Sequence, residues 1–195
     1  MNIEEAKKIT LSLIDTFNKA SQVSLELRAA GLTKEIKSDN TPVSNGDIEI
    51  NKKPAIGIIT VPAKKRVFYS YGMSNSYELI NEQEINLIKK KKYYDELKAV
   101  SYSNELKPEI AKIHKKYNIT SHQKMKSSLK FCVIAAGEFD LYVAEPRACE
   151  WDIAAGHAIL EHAGGKITNF DGNEILYGKP EFKNPSLIIR SKNIP

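Results

Sequence analysis

The sequence predicts a mixed α/β (α+β) protein in which helices and sheets stack as layers. Three observations carry that prediction. Short β-branched runs, such as residues 54–62 and 187–190, have strand length and strand composition. Longer segments repeat apolar residues at helical spacing and end on glycine. The two kinds alternate irregularly, with single strands, a hairpin and helices in mixed order, which suits layers better than a bundle or a barrel. At 195 residues, the chain fits one domain able to bury a real core.

Each element has its own warrant. Residues 3–30 read as a helix, because Ile9, Leu13, Phe17, Ala20 and Ser24 recur at helical spacing and Gly31 can stop it. Residues 37–47 are polar and turn-rich. A strand is predicted at 54–62, with an antiparallel partner at 66–71 ended by Gly72. Residues 97–103 form a weaker strand, and 105–117 an amphipathic helix with Pro108 in its first turn. A helix follows at 127–136, opened by serine and closed by Gly137. Next come a strand at 139–144, a helix at 152–163, a strand at 166–170 with a turn at 171–173, and a last strand at 187–190.

Composition narrows the function classes. Hydrophobic residues make up 42% and charged residues 27%, a globular balance, and no apolar run is long enough for a membrane span. The first residues carry Glu4 and Glu5 and lack a secretory apolar stretch. Cys132 and Cys149 form neither a disulfide framework nor a metal-ligand spacing, so a cytoplasmic protein with reduced thiols is expected. The net charge of +5 rests on 25 lysines against 4 arginines and suits a small anionic ligand. No nucleic-acid motif is present, so neither a specific nucleic acid nor a membrane is expected as partner. The run Lys89-Lys90-Lys91-Lys92 reads as solvated surface.

The most informative stretch runs from Trp151-Asp152 through Ala154-Ala155-Gly156-His157 to Gly164-Gly165. An acid at a helix start can cap backbone N–H groups. It can also be a hard oxygen ligand for Mg²⁺, and the same terminus attracts phosphate. Both the structural and the chemical reading stand on spacing alone. Ser127 and Ser128 likewise read as helix caps compatible with a phosphate contact. The four histidines lack site spacing and read as surface or satisfied residues.

These residues resemble a known family. Trp151-Asp152, Ala154-Ala155 and Gly164-Gly165 resemble the C-terminal signature of the inositol monophosphatase superfamily. Ser127-Ser128-Leu129-Lys130-Phe131-Cys132 resembles its CysQ branch, whose members are Mg²⁺-dependent 3'(2'),5'-bisphosphate nucleotidases. Thr41-Pro42-Val43-Ser44 and Asp47 resemble the family's Ser-Pro-Val-Thr-x-Ala-Asp stretch. The resemblance implies a layered α/β/α/β/α sandwich over one domain, 1–195, with an N-terminal part at 1–95 and a C-terminal part at 96–195. It implies hydrolysis of adenosine 3',5'-bisphosphate to AMP and phosphate. Asp47 would help orient the attacking water, Asp152 would hold Mg²⁺ and approach substrate, and Ser127, Ser128 and Lys130 would contact substrate. The family's Glu-Glu pair and Asp-Pro-(Ile/Leu)-Asp-Gly-Thr motif, expected between Asp47 and Pro54, do not occur. The expectation is therefore a truncated N-terminal sheet, weak Mg²⁺ binding and impaired catalysis. The alternative is a non-catalytic phosphate- or nucleotide-binding protein of the same fold. The oligomeric state is left open by the sequence.

Overall fold

The computed structural model describes residues 2–29, 53–90 and 96–194. Asp47 and the motif around Thr41 and Ser44 lie outside the described residues. The chain opens on helix α1 (Ile3–Ala29). Asn2 and Glu5 cap it reciprocally: the Asn2 side chain accepts from the Glu5 N–H at 2.9 Å, and the Glu5 carboxylate accepts from the Asn2 N–H at 3.1 Å. The face that α1 buries holds Ala6 and Thr10, with Ile14 beside Val67, Tyr69 and Tyr71. The stripe Ile9, Leu13 and Phe17 lies on an exposed flank instead.

The first sheet is an antiparallel meander of β1 (Gly57–Val61), β2 (Arg66–Ser70), β3 (Ser76–Ile80) and β4 (Gln83–Asn86), in that order. The 66–71 partner strand occurs as expected, with Gly57 opposite Ser70 and Val61 opposite Arg66. β3 and β4 were not expected. Their turn uses Asn81 and Glu82 at φ 49° and 64°, a left-handed pair that matches strand twist without the usual glycine signal.

The second sheet orders its strands β6-β5-β7-β9-β8. These are β5 (Lys98–Ser101), β6 (Ser121–Lys124), β7 (Leu141–Ala144), β8 (Lys166–Thr168) and β9 (Leu187–Arg190). β5 runs parallel to β6 and β7, whereas β9 is antiparallel to β7 and β8. β6, a polar and exposed Ser-His-Gln-Lys edge strand, was also unexpected.

Three helices complete the molecule: α2 (Pro108–Lys116), α3 (Leu129–Ala135) and α4 (Glu150–His162). α3 and α4 pack on one another between the two sheets, while α1 and α2 cover the outer faces. The result is five layers, α1, sheet, α3 with α4, sheet, α2. Strand alternation builds them: in β7, Tyr142 and Ala144 join the central core, and Leu141 and Val143 face Ile110 and Ile113 of α2. Two glycines allow the close approaches. A Cβ on Gly156 would stand 2.6 Å from the Phe131 ring, where α3 meets α4. A Cβ on Gly57 would run into the Ala155 carbonyl oxygen, where β1 meets α4.

Buried polar groups are mostly paired. Arg66 binds Glu78 and Glu138, and Lys90 shares Glu78 at 3.1 Å. His157 Nδ1 lies 3.1 Å from the Tyr177 hydroxyl, and His162 Nδ1 accepts the Gly72 N–H at 3.2 Å. His114 corrects the expectation of surface or satisfied histidines: it is buried and its Nε2 has no hydrogen-bond partner among the described residues. Its place on the buried side of α2, with the His122 ring of β6 5.9 Å away, overrides the polar character of its sequence neighbours. Among the described residues no helix is long and apolar enough to cross a membrane.

Candidate functional site

The site lies at the C-terminal ends of β5 and β7. Because those strands are parallel, Tyr102, just after β5, and Glu145 and Arg147, just after β7, emerge on the same edge of the sheet. Ligand crevices of open α/β sheets form at such edges. The helices α3 and α4 start beside them and close a cleft of ≈ 470 Å³.

Ser127, Ser128, Lys130 and Asp152, four separate sequence expectations, all line this cleft, with Tyr142 and Arg147. Ser127 has φ 74°, and its Oγ accepts the Leu129 N–H at 3.2 Å. Ser127 is thus the serine that caps α3. Ser128 occupies the cap position but makes no capping bond, which corrects the expectation that both serines act as caps. Lys130 is buried, not solvated as a lysine ordinarily is. Its Nζ donates to the Ser127 carbonyl at 2.6 Å and stands 4.8 Å from the Tyr142 ring centroid. Burial, and then the nearby Arg147 guanidinium, lower its pKa to about 8.

α4 begins at Glu150, two residues before the expected start, and Asp152 sits in its first turn. Asp152 Oδ2 accepts the Cys149 N–H at 2.8 Å, so the capping reading of this acid holds. Its side chain remains exposed at the cleft mouth. Glu150 anchors the same turn by accepting the Gly178 and Lys179 N–H groups at 2.9 and 3.0 Å and the Lys179 ammonium at 2.6 Å. Burial pushes the Glu150 carboxyl up, but those donors outweigh it and hold it below its ordinary value.

Two residues at the site were missed by sequence reasoning. Arg147 stacks its guanidinium 3.8 Å from the Tyr102 ring centroid. A hydrogen bond to Arg147, and then its charge, lower the Tyr102 pKa, while the same contact raises that of Arg147. The pair forms a wall between the cleft and a second hollow of ≈ 490 Å³ beside Ser103, Leu106 and Ile110. The available signal was Arg147 itself, one of only four arginines and four residues before Trp151.

The cleft suits an anion better than a cation. Lys130 and Arg147 bring positive charge, and Glu145 is engaged by Lys107 at 2.6 Å. Among the described residues no group of three or more His, Cys, Asp or Glu converges to hold a metal ion. Mg²⁺ dehydrates reluctantly and needs more than one carboxylate or phosphate oxygen. Among the described residues, Asp152 and the Lys107-paired Glu145, with two cations in their cleft, do not fit it.

Comparison with known proteins places this architecture. Residues 37–193 match the inositol monophosphatase family. The chain belongs to that family. The 3'(2'),5'-bisphosphate nucleotidase CysQ of Escherichia coli strain K12 is 30% identical over 154 residues, covering 72% of this chain and 59% of its own length. The 3'(2'),5'-bisphosphate nucleotidase of Dictyostelium discoideum is 30% identical over 153 residues, covering 72% and 42%. Among solved structures, CysQ from Bacteroides thetaiotaomicron, a bacterial member of the family, superposes with a TM-score of 0.57 at 30% identity. That match covers 72% of this chain and 59% of the CysQ chain. The chain therefore spans about three fifths of the length of its CysQ relatives. The family fold, two sheets with interleaved helices, is the one expected from the sequence.

Proposed function

We propose that this family member binds adenosine 3',5'-bisphosphate or a close nucleotide phosphate, and that its Mg²⁺-dependent hydrolysis to AMP and phosphate is greatly reduced or absent. The observation that carries the reading is a cleft with a buried lysine and a stacked arginine, whose two lining carboxylates are Asp152, exposed at the mouth, and Glu145, paired with Lys107. Lys130 and Arg147 supply charge to a phosphate, and the Ser127 and Ser128 hydroxyls supply hydrogen bonds. Charge-assisted contacts of this kind are the strong ones. The Tyr102–Arg147 wall offers a flat surface for the nucleoside. Asp152 and Asp47 keep the metal-binding and water-orienting roles implied by the family resemblance, but as a pair of acids they are too few to clamp attacking and leaving oxygens.

The second reading is an active CysQ-like nucleotidase, favoured by 30% identity to CysQ over most of this chain. Binding separates the first reading from an inert fold. Isothermal titration with adenosine 3',5'-bisphosphate should give saturable binding that Lys130→Met weakens at least about tenfold, the loss of one charge-assisted contact. Binding that is absent, or indifferent to Lys130, would reject the proposal.

A further inference from the structure

The Lys130 amine is placed for chemistry beyond holding an anion. The side chain is buried, yet its Nζ contacts Ser127 and Tyr142, which themselves line the cleft. The amine therefore belongs to the wall of the cleft rather than to the core. Among the described residues the Ser127 carbonyl is its one hydrogen-bond partner. A neutral amine can donate a single N–H there and keep its lone pair free.

Lys192 shows the opposite arrangement. Its Nζ donates to the carbonyls of Leu87, Ile88 and Lys90 at 2.9, 2.5 and 2.9 Å. Burial lowers its pKa too, but three acceptors for three N–H groups favour an ammonium, which has no lone pair. Lys130, lowered to about 8, is a free amine for about a quarter of its molecules at about pH 7.5, against about a thousandth for an ordinary lysine. Lower basicity takes back only part of that advantage. Desolvation and a neighbouring cation are the two features that activate a lysine as nucleophile, and Lys130 has both.

The same cleft selects the electrophile. Arg147 is exposed beside the amine, and the Ser127 and Ser128 hydroxyls stand near it, so a phosphate group is drawn in by charge-assisted bonds. An acyl phosphate carries its activated carbonyl one oxygen away from that phosphate. We propose that Lys130 is a modification site, acylated by small acyl phosphates that the cleft recruits through their phosphate group. Nζ attacks the carbonyl carbon and an amide N–C bond forms. The C–O bond to phosphate breaks, phosphate leaves with the electron pair, and one amine proton passes to solvent. The product amide is neutral, so acylation removes the lysine charge from the cleft. This inference rests on reading the cleft as a phosphate site, and adds a way of switching that site off.

Incubating the full chain with acetyl phosphate at about pH 7.5, and mapping acetyl groups by peptide mass spectrometry, tests it. Lys130 should acylate at least about tenfold faster than the exposed Lys112 and Lys115, and Lys192 no faster than they do. Arg147→Met should slow Lys130 at least about tenfold and leave Lys112 unchanged. Acetic anhydride, an acyl donor without phosphate, should show a smaller preference for Lys130. Protein acetylated at Lys130 should bind adenosine 3',5'-bisphosphate at least about tenfold more weakly. Acylation of Lys130 no faster than of exposed lysines, or an equal preference with both donors, would overturn the proposal. Nucleotide binding without selective acylation would reject this inference alone, whereas selective acylation without nucleotide binding would reject the nucleotide reading alone.

Discussion

Lys130 concentrates the chemistry of the site. Its Nζ is taken out of water, tied to the Ser127 carbonyl and set near Arg147, and its pKa falls to about 8. The sign is that of a cation made easier to deprotonate: below about pH 8 the free cleft carries the lysine charge, and above it the charge is lost. Nucleotide affinity should therefore fall as pH rises from 7 to 9, by up to about tenfold for one lost contact. Titrations at the two ends of that range check this, and Lys130→Met should flatten the profile. Asp152 separates structure from chemistry. Asp152→Ala removes the acceptor for the Cys149 N–H and should cost about 1 kcal/mol in urea unfolding. Asp152→Asn keeps an acceptor there and should cost less.

At the scale of elements, helix α4 depends on two glycine contacts. Gly57→Ala drives a Cβ into the Ala155 carbonyl, a backbone atom that cannot rotate away. The expected loss is about 1–3 kcal/mol, read as a lowered urea midpoint with an unchanged slope. The elements legible in the sequence were those with a strong period or clear punctuation. β2 alternates between apolar-rich faces, α2 has Pro108 at its start, and α4 ends on Gly164-Gly165. β4 and β6, Gln-Glu-Ile-Asn and Ser-His-Gln-Lys, were illegible because edge strands need no apolar face. The α1 stripe was legible as a helix signal, but not as an exposed one: small Ala6 and Thr10 let the helix sit close to the sheet. Lys130 and Asp152 entered through resemblance and share one cleft. Tyr102 and Arg147 stayed hidden because only the parallel pairing of β5 and β7 brings residues 45 positions apart together.

For the whole molecule, buried histidines set the acid limit. Burial lowers both His114 and His162 to about 4, with the His122 charge assisting at His114. The unfolded chain protonates near pH 6.5, so it binds protons first as pH falls. Stability is thus complete above about pH 6.5 and is lost as pH drops toward 4, by up to about 3 kcal/mol per histidine. Protonating His162 would also remove the acceptor of the Gly72 N–H. Denaturant melts at pH 7 and pH 4.5 test this, and His114→Phe should reduce the difference.

The central proposal is that the family fold carries an anion cleft that binds nucleotide, while Mg²⁺-dependent hydrolysis is greatly reduced or absent. Phosphate release from adenosine 3',5'-bisphosphate, measured on purified protein with and without Mg²⁺, tests it most directly, with Asp152→Asn alongside. The account predicts no Mg²⁺-dependent release above that of Asp152→Asn, together with nucleotide binding that Lys130→Met weakens. Sustained Mg²⁺-dependent turnover that disappears in Asp152→Asn would contradict it.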